Sequence, residues 1–469
     1  MIHSFKYAKR HTKDVGEVIS PGESWVKVQG FKKGFLGEAV SFETDEKGLI
    51  FGLEDGTADV LVFSRNPLKN KTKVARTAES LKISVGDGIL GASVNSLGYY
   101  LHPQKKPSED TFPRIIDVPP PGVSLRKKIT ENLITGVPVV DFLVPLGKGQ
   151  RELVIGDMRT GKTHLLSQVV ISQAQEGTIC VYCLIGKRKA EVKRLENLLR
   201  EKKVLSKSVI VAATSYDPPA MVYLAPFAAM AIAEHFRDEG RDTLVVLDDM
   251  TAHANYYREL MLTAGHFPGR ESYPSDIFHV QSRIIERAGN FIIDDKQASI
   301  TCLPVAETQD GDLTGYIPTN LMSMTDGHIF FDKEMYFQGV RPAINIFLSV
   351  TRVGRQTQHK LIRRLSEQLF KAISDYEEVL RFVRFGPEMT EKIKRKLEKG
   401  ERVLAFFRRV GSDPCSFEIE FLEALLALKT SNYTHKIASV KNPGELAQSL
   451  LKEQELEAVY KKLENNIRL

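Results

Sequence analysis

No stretch of this 469-residue chain reaches the roughly 18 to 20 uncharged apolar residues that a membrane-spanning helix needs. The longest apolar runs, Ile300 to Val305 and Ile344 to Val350, are strand-sized. Cysteine is scarce, with four in the whole sequence, which excludes a disulfide scaffold and fits a reducing compartment. Cys180 and Cys183 form a C-x-x-C inside the apolar run TICVYCLIG. Residues three apart on a strand point to opposite faces, so a shared metal is not expected there. There is no internal repeat and no low-complexity tract. Neither sign of charge is in large excess: the formal net charge of +6 permits an acidic partner and does not call for nucleic acid. The opening MIHSFKYAKRHTK is basic with no apolar core behind it, so a secretory signal is not expected. What is present is ordinary globular material, 42% hydrophobic and 26% charged, which excludes wholesale disorder.

The length suggests about three domains, and the text of the sequence changes accordingly. Residues 1–15 read as a short, polar, flexible tail. Residues 16–78 hold short alternating runs (EVIS, SWVKVQG, EAVSFE, GLIFGLE, TADVLVF) between Gly, Asp and Asn turns, the pattern of a small antiparallel β-barrel or sandwich. A proline-rich connector follows (HPQKKPSEDTFPR, DVPPPGVS), expected to be irregular or extended. Within 79–358, the strand runs ELVIG, TICVYCLIG, SVIVAAT, TLVVLDD, SITCLPV, HIFF and INIFLSV alternate with helical patterns, which predicts a parallel α/β domain. From 359 to 469 apolar residues recur at helical spacing, as at Leu361, Leu365, Leu369, Ile373 and Tyr376, and a helical bundle is expected.

Gly156-Asp157-Met158-Arg159-Thr160-Gly161-Lys162-Thr163 matches G-x-x-x-x-G-K-[ST]. A strand pattern precedes it and a helical pattern follows, which is the context the motif needs. The glycines let backbone N–H groups turn inward around phosphates, and the helix N-terminus adds partial positive charge. Lys162 is expected to reach the β- and γ-phosphates and Thr163 to place its hydroxyl on Mg²⁺. The strand TLVVL ends in Asp248-Asp249, and Asp248 is expected as a second Mg²⁺ anchor. His164, His253, His266 and His279 show no ligand spacing and read as ordinary polar or core residues.

At this point the sequence resembles the F-type ATP synthase family, and within it the alpha subunit. The resemblance rests on DDMTAHANYYRELML, FPGRESYPSDIFHVQSRIIERA, ETQDGDLTGYIPTNLMSMTDGHIF and FQGVRPAINIFLSVTRVGR, and runs from Gly16 to about residue 410. It implies an N-terminal β-barrel, a P-loop (RecA-like) α/β nucleotide-binding domain and a C-terminal α-helical bundle. It also implies ATP or ADP with Mg²⁺ as ligands. The implied partners are a beta-type catalytic subunit in an alternating alpha3–beta3 ring, a gamma-type central shaft and a peripheral stalk subunit, with contact to a membrane only through the complex, at its cytoplasmic face. Tyr336, Arg341 and Pro342 match positions that pack round the adenine. Arg352 matches the arginine that crosses to the neighbour's catalytic site as a finger in trans.

The sequence also departs from the family. Thr351 stands where the motif usually has Ser, Arg159 where alpha subunits commonly carry Gln, and the glutamines beside the adenine are missing near Arg408-Arg409-Val410-Gly411. The tail before the barrel is shorter than usual. Hydrolysis needs a carboxylate to orient the attacking water. Catalytic relatives carry it after a Gly at the end of the strand that follows the loop, where this chain has Gly186-Lys187. The expectation is therefore a site that binds nucleotide without turning it over. The competing readings are a homohexameric motor (an export ATPase or RNA helicase), disfavoured by Lys187, and an F-type paralogue that does not serve transport.

Overall fold

The structure, a computed structural model, describes residues 2–102, 110–383, 390–408, 416–430, 437, 440 and 442–466. The chain divides into two compact units. One comprises Met1–Lys128, Gly149–Val154 and Ala174–Thr325; the other comprises Ile129–Lys148, Ile155–Gln173 and Asp326–Leu469.

The first unit begins with a closed antiparallel barrel. Its strands are Val15–Ser20, Trp25–Gln29, Glu38–Phe42, Lys47–Glu54, Thr57–Val62 and Lys73–Ser80, arranged around the barrel in the order first, second, fifth, fourth, third, sixth. Alternation puts Val18, Val26, Val28, Val40, Ile50 and Val60 inside, all fully buried. Each such side chain contributes about 1.5–3 kcal/mol of transfer free energy, and closure leaves no free edge to recruit another strand. In the barrel wall the Arg76 guanidinium lies 2.8 Å from both Asp14 and Glu38, so a buried cation meets two carboxylates.

The segment read as a flexible tail contains a helix, Phe5–Thr12. Ser4 caps it by accepting from the Tyr7 N–H, Ala8 is buried, and the Thr12 hydroxyl donates to the Arg76 carbonyl. Only one of its residues is buried, which is why apolar periodicity does not reveal it. In the connector, Phe112–Ile115 pairs antiparallel with Lys82–Val85, while residues 103–109 lie outside the described residues.

The same unit holds most of a parallel sheet. Lys296–Thr308, Thr243–Asp248, Ile179–Lys187, Ser208–Thr214 and Ser93–Val94 lie side by side in that order. Register pairs such as Val181↔Val245 and Val245↔Cys302 are parallel. Ser208–Thr214 and Thr243–Asp248 are buried at every residue, as expected where helices cover both faces. Cys180, Cys183 and Cys302 are buried free thiols in these strands, and Cys415 lies outside the described residues. The parallel register brings the carboxyl ends of Ile179–Lys187 and Thr243–Asp248 together, with Leu184 opposite Asp248.

In the second unit Gly327–Phe331 pairs antiparallel with Val350–Thr351. The run Ile344 to Val350 is not one strand, as its apolarity suggests, but a bridge at Ile344 and a turn, with only Val350 in a strand. Asn345 is the cause: its side-chain oxygen accepts from the Phe347 and Leu348 N–H groups and holds the backbone in a turn. Phe347, Leu348 and Val350 are correspondingly exposed. Helices follow, among them Lys360–Val383, Glu391–Phe407 and Phe417–Ala427, and among the described residues no strand occurs beyond Thr351. Where the first two of these helices pack, Gly400 lies against Tyr376 so closely that a Cβ there would stand 2.3 Å from the Tyr376 Cβ.

Candidate functional site

The phosphate-type loop lies in the second unit, between the strand Glu152–Asp157 and the helix Lys162–Gln175. Gly156 has φ +151 and Gly161 φ +105. A Cβ on Gly156 would meet the Phe331 carbonyl oxygen at 2.4 Å, so both backbone torsion and space require glycine there. Arg159 also has positive φ, at +61, with its side chain exposed, as is that of Met158. Thr160 is buried and donates to the Asp157 carbonyl, which tightens the turn. The Asp157 carboxylate is buried, with Lys333 at 3.6 Å. The Lys162 ammonium donates to the carbonyl oxygens of Gly156 and Asp157 at 2.6 and 2.7 Å, inside the curve of the loop. Thr163 is exposed on the first turn of the helix, where the leading N–H groups have no intrahelical partner. A glycine-shaped turn enclosing a lysine ammonium, with a helix N-terminus behind it, is suited to receive an anion.

Four further candidates share this unit. The Arg341 guanidinium lies over the Tyr336 ring, 3.4 Å from its centroid, and donates to the Tyr336 and Val340 carbonyls. One face of the ring is thus covered by the chain itself, a contact that family position does not reveal. Pro342 lines a neighbouring cleft of about 430 Å³ with Met335, Gln338, Phe407 and Arg408. Arg352 follows Val350–Thr351, its N–H bonded to the Asp326 carbonyl and its side chain exposed. Among the described residues the Arg352 guanidinium has no ion-pair partner.

In the first unit, Asp248 ends its strand, and both it and Asp249 are almost fully buried. Lys187 ends the adjacent strand. The register shifts between Ile185 and Lys187, and Gly186 has φ +68, so this irregularity re-aims the Lys187 side chain. Its ammonium lies 2.9 Å from Asp248 Oδ1 and 2.8 Å from Asp249 Oδ2. Burial pulls the Lys187 pKa down, but the Asp248 and Asp249 charges more than offset it and hold it above the ordinary lysine value. Lys187 is therefore a fixed cation, and no carboxylate occupies its position. The other oxygens are also engaged: Asp248 Oδ2 accepts from the Tyr182 hydroxyl at 3.0 Å, and Asp249 Oδ1 accepts from the Ala252 N–H at 2.5 Å. This does not suit Asp248 as a Mg²⁺ anchor, because the metal would have to displace or approach an ammonium. The sequence signals for the pair were the Gly before Lys187 and the Asp248-Asp249 doublet.

These sites lie in a chain whose residues 136–351 match the nucleotide-binding domain of the ATP synthase alpha/beta family and whose residues 358–469 match that family's C-terminal domain. The chain belongs to the ATP synthase alpha/beta family. Within it the similarity is to alpha subunits. The chain is 36% identical over 467 residues to ATP synthase subunit alpha of Helicobacter acinonychis (strain Sheeba), covering 96% of this chain and 92% of that one. It is 36% identical over 473 residues to ATP synthase subunit alpha of Helicobacter pylori (strain G27), covering 97% and 94%. The six-stranded barrel, the nucleotide-binding α/β domain and the helical C-terminal region are the architecture expected from the sequence. No described helix is long and apolar enough to cross a membrane.

Proposed function

We propose that this chain is the nucleotide-binding, non-catalytic alpha-type subunit of a rotary F-type ATP synthase or ATPase. It alternates with a beta-type catalytic subunit around a gamma-type shaft, with a peripheral stalk subunit outside, and couples ATP synthesis or hydrolysis next door to ion transport. The observation that carries the reading is Lys187, a paired cation at the strand end where a catalytic member needs a carboxylate.

The loop Gly156–Thr163 binds the phosphates of ATP or ADP through its N–H groups, with Lys162 turning from its carbonyl contacts to the phosphate oxygens. Tyr336, Arg341 and Pro342 form the base side; with one ring face of Tyr336 already covered, recognition of adenine is weak and ATP and GTP bind with similar affinity. Arg352 acts elsewhere: exposed at the end of its strand, it serves as a finger to the neighbour's transferring phosphoryl group, where a planar guanidinium suits the developing charge.

Turnover of the purified chain, alone and mixed with its beta-type partner, tests this. The expected result is bound nucleotide with negligible hydrolysis alone and multi-site hydrolysis on mixing. Steady hydrolysis by the chain alone at about 1 s⁻¹ or faster, the low end of ordinary enzyme turnover, overturns the non-catalytic assignment.

A further inference from the structure

The second unit contains a cleft of about 460 Å³ that shares no residue with the phosphate-type loop. Its size falls within the roughly 300–1,000 Å³ of small-molecule sites. The helix Lys360–Val383 lines it with Arg363, Ser366, Glu367 and Phe370, whose spacing puts them on one side of that helix. The turn Val139–Leu143 adds Phe142 as an apolar wall. The Phe142 ring is held by the core, stacked on Phe417 with centroids 5.7 Å apart and edge-on to Phe406 at 5.9 Å. Arg355, on the short helix Gly354–Thr357, also lines the cleft, and the Arg363 guanidinium donates to the Arg355 carbonyl at 2.8 Å. That bond ties the two arginine-bearing segments together at the rim, where both side chains are exposed. Ser366 is 9% exposed, and among the described residues its hydroxyl has no hydrogen-bond partner. A buried hydroxyl without a partner is costly, so its place on the wall of the cleft points to a ligand atom.

We propose that this cleft is a second ligand site, for a small aromatic monocarboxylate whose ring lies against Phe142 and Phe370 and whose carboxylate is taken by Arg355 and Arg363. A planar guanidinium matches a carboxylate with two parallel N–H donors. Ser366 lies one helical turn from Arg363 and one from Phe370, so its hydroxyl stands where the carboxylate joins the ring. Arg355, Arg363 and Glu367 together carry a charge of +1, which one carboxylate balances; a phosphate dianion would meet the Glu367 charge and bring nothing to place against the rings. The site is independent of the nucleotide reading, because none of its residues belongs to the loop or to the base side.

The test is calorimetric titration of the purified full chain with 2-naphthoate, beside three probes that each lack one feature: acetate without the ring, 2-naphthylmethanol without the charge, and inorganic phosphate with neither ring nor carboxylate. The expected result is one 2-naphthoate per chain with a dissociation constant below about 1 mM, and each other probe weaker by about tenfold or more. The same titration in excess ATP is expected to give the same constant. Arg355→Gln and Arg363→Gln are each expected to weaken 2-naphthoate binding about tenfold or more, in line with the loss of a charged hydrogen bond. No saturable binding of 2-naphthoate by the wild-type chain overturns the proposal, and needs no variant to fold. Equally tight binding of 2-naphthylmethanol overturns it as well, because the arginines then contribute nothing. Displacement of 2-naphthoate by ATP places the ligand in the nucleotide site and overturns the second site. A chain that binds 2-naphthoate as expected and no ATP supports this site while the nucleotide reading fails, so the two failures are distinct.

Discussion

The Lys162 ammonium lies 2.6 Å from the Gly156 carbonyl oxygen, six residues back along the same loop. The lysine is thereby held at the mouth of the receptor it serves, with its charge aimed at the loop interior. Lys162→Ala removes one charged donor to phosphate, and hydrogen bonds to charged groups contribute about 1.5–3 kcal/mol each. ATP affinity is expected to fall about 10- to 150-fold. The far-ultraviolet circular dichroism spectrum should stay unchanged, since the loop's glycines set its shape. Equilibrium binding of a fluorescent ATP analogue checks this, and unchanged affinity would remove the lysine from the site.

Arg352 is expected to matter for a reaction in another chain. Arginines supplied in trans are worth about 10³ to 10⁵ in turnover. Arg352→Ala in a ring reconstituted with a beta-type partner should assemble, bind nucleotide normally, and lose several hundredfold or more in multi-site ATPase rate. Lysine should rescue little, because a point ammonium does not reproduce the planar fork. Hydrolysis within a few-fold of wild type in an assembled mutant ring refutes the assignment.

Gly400→Ala sets propensity against packing. Alanine in a helix interior gains up to about 1 kcal/mol over glycine. The new methyl, however, would stand 2.3 Å from Tyr376 Cβ and 2.6 Å from its Cγ, atoms next to the backbone that cannot swing aside. Overpacking of this kind costs about 1–3 kcal/mol. The substitution is expected to lower the urea midpoint, and a raised midpoint would show that the two helices separate easily.

His253 gives the fold a pH dependence. It is fully buried, its ring stacks on Tyr223, and burial lowers its pKa to about 4. The ordinary histidine value is near 6.5, so the unfolded chain takes up a proton at a pH where the folded chain does not. Stability from this residue is full above about pH 6.5 and declines as pH falls toward 4, with about 2 kcal/mol lost by pH 5. Urea unfolding at pH 7.5 and pH 5 should show a smaller drop for His253→Gln than for wild type. An identical drop would mean that His253 does not stay neutral in the fold.

Much of the architecture was legible because of uninterrupted apolar strands. TLVVLD and SVIVAAT are buried on both faces and leave no ambiguity of period. The loop was legible because its glycines and lysine are fixed by geometry at one spacing. Ile344 to Val350 misled for the opposite reason: apolar composition favours a strand, but the short Asn345 side chain competes for the backbone N–H groups and wins. The helix Phe5–Thr12 rests on capping and one buried alanine, signals too local for periodicity. The contact of Lys187 with Asp249 joins residues 62 apart, and only the parallel register of two strands makes it.

The five residues of Gly327–Phe331 span about 16 Å of extended chain. At one end the Phe331 carbonyl presses on Gly156; at the other, Gly327 pairs with Thr351 and the Asp326 carbonyl holds the Arg352 N–H. The strand is bonded on both edges, to Val350–Thr351 and to Glu152–Asp157. It therefore works as a ruler: the spacing between phosphate loop and arginine is set by an extended backbone fastened along both edges.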